Sequence, residues 1–220
     1  MQTLFTPFAV LWDLDGVLVD TGEMHYQSFV IVLTELNIPF DRPAFNRTFG
    51  MNNAGIFRLL LDDPSAEQIE QLGERKESLF RAMLPGRLQA LLGVCQWLER
   101  LNAQGIPMAV ASSAPIENIN VILDELGLRS YFGAIVSGAL MPGKPDPAIF
   151  LEAARRLDTP LERCDVIEDS IPGVQAAKSA GMKCLAVLTT NPSEALQAAD
   201  LIVESLDLLP EDVFERLMHL

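Results

Sequence analysis

Chemically able side chains stand at four places where an apolar run of this sequence stops. The run ending at Trp12 is followed by Asp13 and Asp15, two positions apart, and then at once by Gly16. On a strand, residues i and i+2 share a face. Two carboxylates on one face at the end of a buried strand are costly unless something cationic meets them. A hard divalent cation, which takes oxygen ligands, meets that need. The bland alternative is a surface turn, because Asp-Gly is a common turn former. Further on, apolar runs lead into Ser112-Ser113, into a loop carrying Lys144 (Met141-Pro-Gly-Lys-Pro-Asp-Pro147), and into Glu168-Asp169-Ser170. Each has its own plain reading. Ser112 serves equally as a helix cap, Lys144 as a solvated loop lysine, and Glu168 to Ser170 as the acidic start of a helix.

The elements that must position these groups decide between the readings. Short apolar runs predict strands over residues 8–12, 106–111, 134–136, 164–167, 184–188 and 201–203. Between and after them, helical periodicity covers residues 88–101 (Leu88, Leu91, Leu92, Cys95, Leu98 and Leu101 inward), 116–126, 147–157, 171–180 and 207–219. Strand and helix in strict turn imply right-handed crossovers and a parallel sheet. The fold class is therefore α/β, a doubly wound, Rossmann-like core. In such sheets ligands bind at the carboxyl ends of the strands. All four chemical groups fall at that edge, and four coincidences there outweigh their separate plain readings. Residues 21–84 show no strand, but helices over 24–36, 43–48, 54–61 and 65–83, closed by the break at Pro85-Gly86. The expected organisation is a catalytic core of residues 1–20 and 85–220 with an inserted α-helical cap of residues 21–84.

The bulk properties narrow the partners. The chain has 220 residues and a formal net charge of −14. That charge disfavours a nucleic-acid backbone or an anionic membrane surface. An anionic substrate would be repelled overall, so local cations must hold it. No run of 18 uncharged apolar residues predicts a membrane span, and residues 1–7 lack the basic start of a secretory signal. Cys95, Cys164 and Cys184 form no zinc pattern; a reducing, cytoplasmic setting and a monomer or weak dimer are expected.

Asp13-Leu-Asp15-Gly16, Ser112, Lys144-Pro-Asp-Pro147 and Glu168-Asp169-Ser-Ile-Pro-Gly173 resemble the four motifs of the haloacid dehalogenase superfamily, and the 21–84 insertion resembles its small helical cap. The resemblance is to the branch that holds β-phosphoglucomutase, phosphoglycolate phosphatase and related sugar-phosphate phosphatases. It implies phosphoryl transfer, which requires a nucleophile, charge neutralisation and an acid for the leaving oxygen. By resemblance Asp13 is the nucleophile and Asp15 the general acid and base. Mg²⁺ would be held by the Asp13 carboxylate, the Asp15 main-chain carbonyl and Asp169, with Glu168 either a ligand or a partner to metal-bound water. Lys144 and Ser112, with Ser113 beside it, would hold the phosphoryl oxygens. A departing halide needs no proton, so the Asp13–Asp15 pair favours a phosphate ester.

Substrate choice falls to the cap, where Thr21, His25, Met51, Asn52, Asn53 and Lys76 are the candidates. Asn53 stands where the mutase has an arginine for a second phosphate, and a neutral amide grips phosphate far less well; Arg47 or Arg58 would have to compensate. The sequence thus points to a Mg²⁺-dependent phosphatase of a small phosphorylated metabolite, with hinges near residues 17–19 and Gly86. The alternatives are a β-phosphoglucomutase-like mutase and a phospho-accepting signalling module. The latter needs only about 120 residues and no insertion.

Overall fold

The computed structural model describes residues 8–217. Its elements run β1 (Ala9–Trp12), α1 (Gly22–Glu35), α2 (Arg42–Thr48), α3 (Asn53–Leu60), α4 (Ala66–Met83), α5 (Val94–Ala103), β2 (Met108–Ser112), α6 (Ile116–Glu125), β3 (Ala134–Ser137), α7 (Ala148–Arg156), β4 (Cys164–Glu168), α8 (Ile171–Ser179), β5 (Lys183–Val187), β6 (Leu201–Val203) and α9 (Val213–Leu217). The six strands pair in parallel in the order β3-β2-β1-β4-β5-β6. Chain order reverses between β1 and β4, the place where such sheets open a crevice at their carboxyl ends. Trp12 pairs with Ile167, and the Asp13 N–H donates to the Ile167 carbonyl at 3.0 Å. This register sets Asp13 level with Glu168.

Alternation along the strands fills both faces. Val10, Trp12, Val110, Ile167 and Leu185 pack with Trp97, Leu98, Ile119 and Phe214 on one side. Alanines at 9, 109, 111 and 186 let Phe150, Ala153, Val174 and Ala177 lie close on the other. A third cluster, built on Phe29, Leu33, Phe40, Phe45, Phe49 and Phe57, belongs to α1–α4 and the loops that join them. Those helices thus carry a core of their own. Among the described residues no helix is long and apolar enough to cross a membrane.

Two predicted helices differ. The 88–101 helix begins only at Val94, because Ala90 bridges to Val19 and Gly93 adopts a left-handed φ of 84°. A Cβ at Gly93 would run into the Asp207 backbone. Leu92 and Cys95 are therefore exposed, and Val94 and Trp97 take the inner face. The 207–219 helix is a 3-10 turn at Leu206–Leu208 followed, past Pro210, by α9; its expected end at residue 219, like the 1–7 segment, lies outside the described residues.

Asp165 on β4 is buried, and its Oδ2 has no hydrogen-bond partner among the described residues. Burial, aided by Asp200 and opposed by Lys183, pushes its pKa up to about 7. Between about pH 4 and 7 the unfolded chain loses this proton while the folded chain keeps it, so stability falls as pH rises through that window. Asp165→Asn is expected to remove this group's share of the fall and to stabilise the protein at pH 8 by on the order of 2 kcal/mol. Urea melts of both proteins at pH 5 and pH 8 check this.

Candidate active site

The carboxyl edge of the sheet brings Asp13, Lys144, Glu168 and Asp169 together. Lys144 is buried and donates to Asp13 Oδ1 at 2.6 Å and to Glu168 Oε1 at 2.5 Å. Burial works against its charge, but Asp13 and Glu168 outweigh that and hold its pKa above the ordinary lysine value. The other Glu168 oxygen accepts from the Asp169 and Ser170 amides at 2.9 and 3.0 Å and from Ser170 Oγ at 2.9 Å. Glu168 thus anchors Lys144 to the N-terminal turn of α8, with both its oxygens engaged.

Asp169 Oδ2 accepts from Thr190 Oγ1, and its main-chain carbonyl accepts from Asn191 Nδ2 at 3.0 Å. Its Oδ1 is buried and has no partner among the described residues. Gly16, at φ 89°, is required here, because a Cβ would overlap the Asp169 carboxylate. Asp13, Glu168 and Asp169 each offer an oxygen, all within 4.8 Å of one another. Burial pushes Asp13 up to about 8, with Lys144 opposing and Glu168 and Asp15 reinforcing. Burial also raises Asp169, reinforced by Glu168 and Asp13. Three acids share one lysine, an orphaned carboxylate oxygen points to a missing partner, and the donors are all hard oxygens. These residues fit a divalent cation.

Asp15 is held differently. Its Oδ1 accepts from Thr21 Oγ1 and meets His25 Nε2 at 3.2 Å. The His25 ring stacks on Phe80 with centroids 3.9 Å apart. Lys76 Nζ lies 2.6 Å from His25 Nδ1. Lysine has only donors, so Nδ1 accepts and the Nε2–H donates to Asp15. Burial resists ionisation of Asp15, but His25, Thr21 and Lys76 outweigh it and hold its pKa below the usual carboxylate value. A line of hydrogen bonds therefore runs from Lys76 through His25 to Asp15.

A cavity of about 40 Å³ lies above these groups, lined by Asp13, Asp15, Ser112 and Ser113 below and by His25, Met51, Asn53 and Lys76 above. Phe29, Phe45, Phe49 and Ile56 form its apolar wall. Ser112 Oγ accepts from the Ala114 amide at 3.1 Å, and Ser113 Oγ donates to the Gly50 carbonyl at 2.7 Å. Two of the expected cap residues are not on the cavity wall. Thr21 is buried behind Asp15. Asn52 caps α3 through Gly55 N and donates to the Gly138 and Met141 carbonyls, so its amide is engaged at both ends. Arg47 and Arg58 are exposed and also off the wall.

Sequence reasoning missed Thr190 and Asn191, although they follow β5 at the same sheet edge and the strand-end rule covers them. It also missed Glu77, buried on α4, and Asn118 on α6, which donates to Glu77 Oε2 at 2.5 Å.

A family model described as haloacid dehalogenase-like hydrolase matches residues 10–187. A β-phosphoglucomutase of Bacillus subtilis (strain 168) is 35% identical over 218 residues, which are 93% of this chain and 94% of that protein. A chloroplastic 5-amino-6-(5-phospho-D-ribitylamino)uracil phosphatase of Arabidopsis thaliana is 33% identical over 204 residues, 90% of this chain; the chain spans about half (54%) of that relative's length. A crystal structure of β-phosphoglucomutase from Clostridium difficile superposes with a TM-score of 0.87 at 24% identity, covering 97% of this chain and 98% of that one.

Proposed function

This chain belongs to the haloacid dehalogenase-like hydrolase family, and on that footing we propose that it is a Mg²⁺-dependent phosphatase of a small sugar-phosphate-like metabolite, working through a phosphorylated Asp13. The observation that carries this reading is the hydrogen-bonded line Lys76–His25–Asp15 ending beside Asp13. A supply of protons next to the nucleophile serves an alkoxide leaving group and is idle for a halide.

With Lys144 on Asp13 Oδ1, Oδ2 is the attacking oxygen. It forms a bond to phosphorus as the ester P–O bond breaks, and a proton that Asp15 receives from Lys76 through His25 passes to the departing alkoxide. Asp15, now a carboxylate, takes a proton from water, and that water displaces Asp13 from phosphorus. The proton taken from water returns from Asp15 through His25 to Lys76. Lys144, the Ser112 hydroxyl and main-chain amides neutralise the phosphoryl oxygens. Mg²⁺ would be held by Asp13, Asp169 and the Asp15 carbonyl and would supply positive charge against those oxygens. Glu168 acts through Lys144, since both its oxygens are already bonded.

Residues 21–84 act as a cap over a core of residues 1–20 and 85–220. The cavity has room for only a few waters, far less than a ligand pocket of some 300 Å³, so admission of substrate needs the cap to open. Gly86, at φ 71° and with open space where a Cβ would stand, suits one hinge, and residues 17–19 the other. The proposal extends to a cytoplasmic enzyme acting as a monomer or weak dimer. A mutase reading draws on the Bacillus subtilis relative, but a bisphosphate must be gripped at both ends, and Arg47 and Arg58 are exposed away from the cavity.

Asp15→Asn tests the reading. Steady-state hydrolysis of an alkyl phosphate should fall about a thousandfold. With p-nitrophenyl phosphate, whose leaving group needs little protonation, the variant should still release a burst of about one nitrophenol per enzyme and then stall. Steady turnover near the wild-type rate would sink the assignment of Asp15.

A further inference from the structure

We propose that Glu77 sets the substrate class: its buried carboxylate neutralises the cation and engages the amide that the cap presents to the cavity, so the enzyme accepts phosphate monoesters whose far end is uncharged and hydroxyl-bearing and rejects those with a second anion. The inference rests on the phosphatase reading above.

Lys76 is the one lysine or arginine on the cavity wall among the described residues. It is buried, and two of its three protons are directed to His25 Nδ1 and to Glu77 Oε1, the latter at 2.8 Å. Asn53 Nδ2 donates to the same Glu77 oxygen at 2.8 Å. Glu77 Oε2 accepts from Asn118 Nδ2, and Arg81 Nη1 fixes the Asn118 carbonyl oxygen at 2.9 Å. Burial alone would neutralise Glu77, yet Lys76, His25 and Asn53 outweigh it and hold its pKa below the ordinary value. An internal anion, bonded from α3, α4 and α6, therefore stands where a distal substrate anion would look for a partner. Dislodging it would leave a buried charge unpaired, which is strongly unfavourable.

The surface beside the cavity reinforces this. A groove of about 670 Å³ shares Asn53 and Glu77 with the cavity wall and adds Glu70, Glu74 and Glu117, against the single cation Arg81. Arg81 is already engaged on Asn118. A substrate tail extending along this groove meets acids, and hydroxyl groups can donate to them where a carboxylate or phosphate cannot.

The test compares glucitol 6-phosphate with gluconate 6-phosphate, which differ at the distal end by a hydroxymethyl against a carboxylate. Wild-type kcat/KM for phosphate release should favour glucitol 6-phosphate by at least about tenfold, the ratio a 1.4 kcal/mol difference gives. Glu77→Gln, which keeps an accepting oxygen and liberates Lys76, should shift the ratio toward gluconate 6-phosphate by about tenfold. Should that variant not fold, Asn53→Arg, which sets a second cation against the same carboxylate, must shift it in the same direction. Equal wild-type hydrolysis of the two, or an unmoved ratio in the folded variant, overturns the inference. If only p-nitrophenyl phosphate is turned over, the ratio of the two compounds as competitive inhibitors decides in the same way. Release from no monoester at all overturns the phosphatase reading instead.

Discussion

Asp13→Asn will abolish phosphate release, by about ten-thousandfold or more, in a protein that remains folded. The amide nitrogen and oxygen cannot form the acyl phosphate that the carboxylate forms. The substitution is close to isosteric, and Lys144 keeps Glu168 Oε1 as its partner at 2.5 Å. The wild-type carboxyl is also a burden to the fold without metal, because burial pushes its pKa up to about 8. As pH rises from about 4 to 8 the folded chain clings to a proton that the unfolded chain has lost, so this group's effect on stability worsens across that window. Metal-free Asp13→Asn should therefore melt no lower than metal-free wild type at pH 8. Phosphate-release assays with thermal melts check both halves. Turnover within tenfold of wild type would mean that another group attacks phosphorus.

Chelation will be nearly as severe. With excess EDTA, phosphate release should fall to background and return when Mg²⁺ is restored in excess. Around one lysine stand the Asp13, Glu168 and Asp169 carboxylates, and Asp169 Oδ1 is buried without a partner among the described residues. A cation there would lower the raised pKa values of Asp13 and Asp169 and bind the folded chain alone. Mg²⁺ at one hundred times its dissociation constant should then add about 2.7 kcal/mol of stability. Melts with and without Mg²⁺ read this independently of activity. Full activity in EDTA, together with a melting temperature indifferent to Mg²⁺, would mean that no metal takes part.

Much of this was legible in the residues, for identifiable reasons. Buried parallel strands are continuous apolar runs, so their ends are marked wherever a charged or hydroxyl side chain follows. Asp13, Ser112, Lys144 and Asp169 were found that way, and the structure gathers them at one edge. The 88–101 helix shows the opposite case. Leu88, Leu91, Leu92, Cys95 and Leu98 have helical spacing, but Gly93 turns left-handed because the Asp207 backbone lies where a side chain would be. That contact comes from the far end of the chain and leaves no local trace.

Glu77 was hidden for another reason. It closes a run, Glu74-Arg75-Lys76-Glu77, that reads as a solvated face. In the fold Glu74 and Arg75 are exposed while Lys76 and Glu77 are buried. Only the packing of α4 against α1 and beside α6 decides which half of the run turns inward. Asn52 has a similar ambiguity: an Asn before a helix suits a cap and a ligand contact equally, and here the amide is engaged as a cap and a tether.

A phosphoryl group carried by Asp13 itself can be trapped. Asp15→Asn, mixed with p-nitrophenyl phosphate and quenched in acid after its burst, can be reduced with borohydride, digested and read by mass spectrometry. The reduced residue should be Asp13, in amounts matching the nitrophenol released. A covalent phosphate on His25 or any other side chain, or a burst with no modified Asp13, would contradict it.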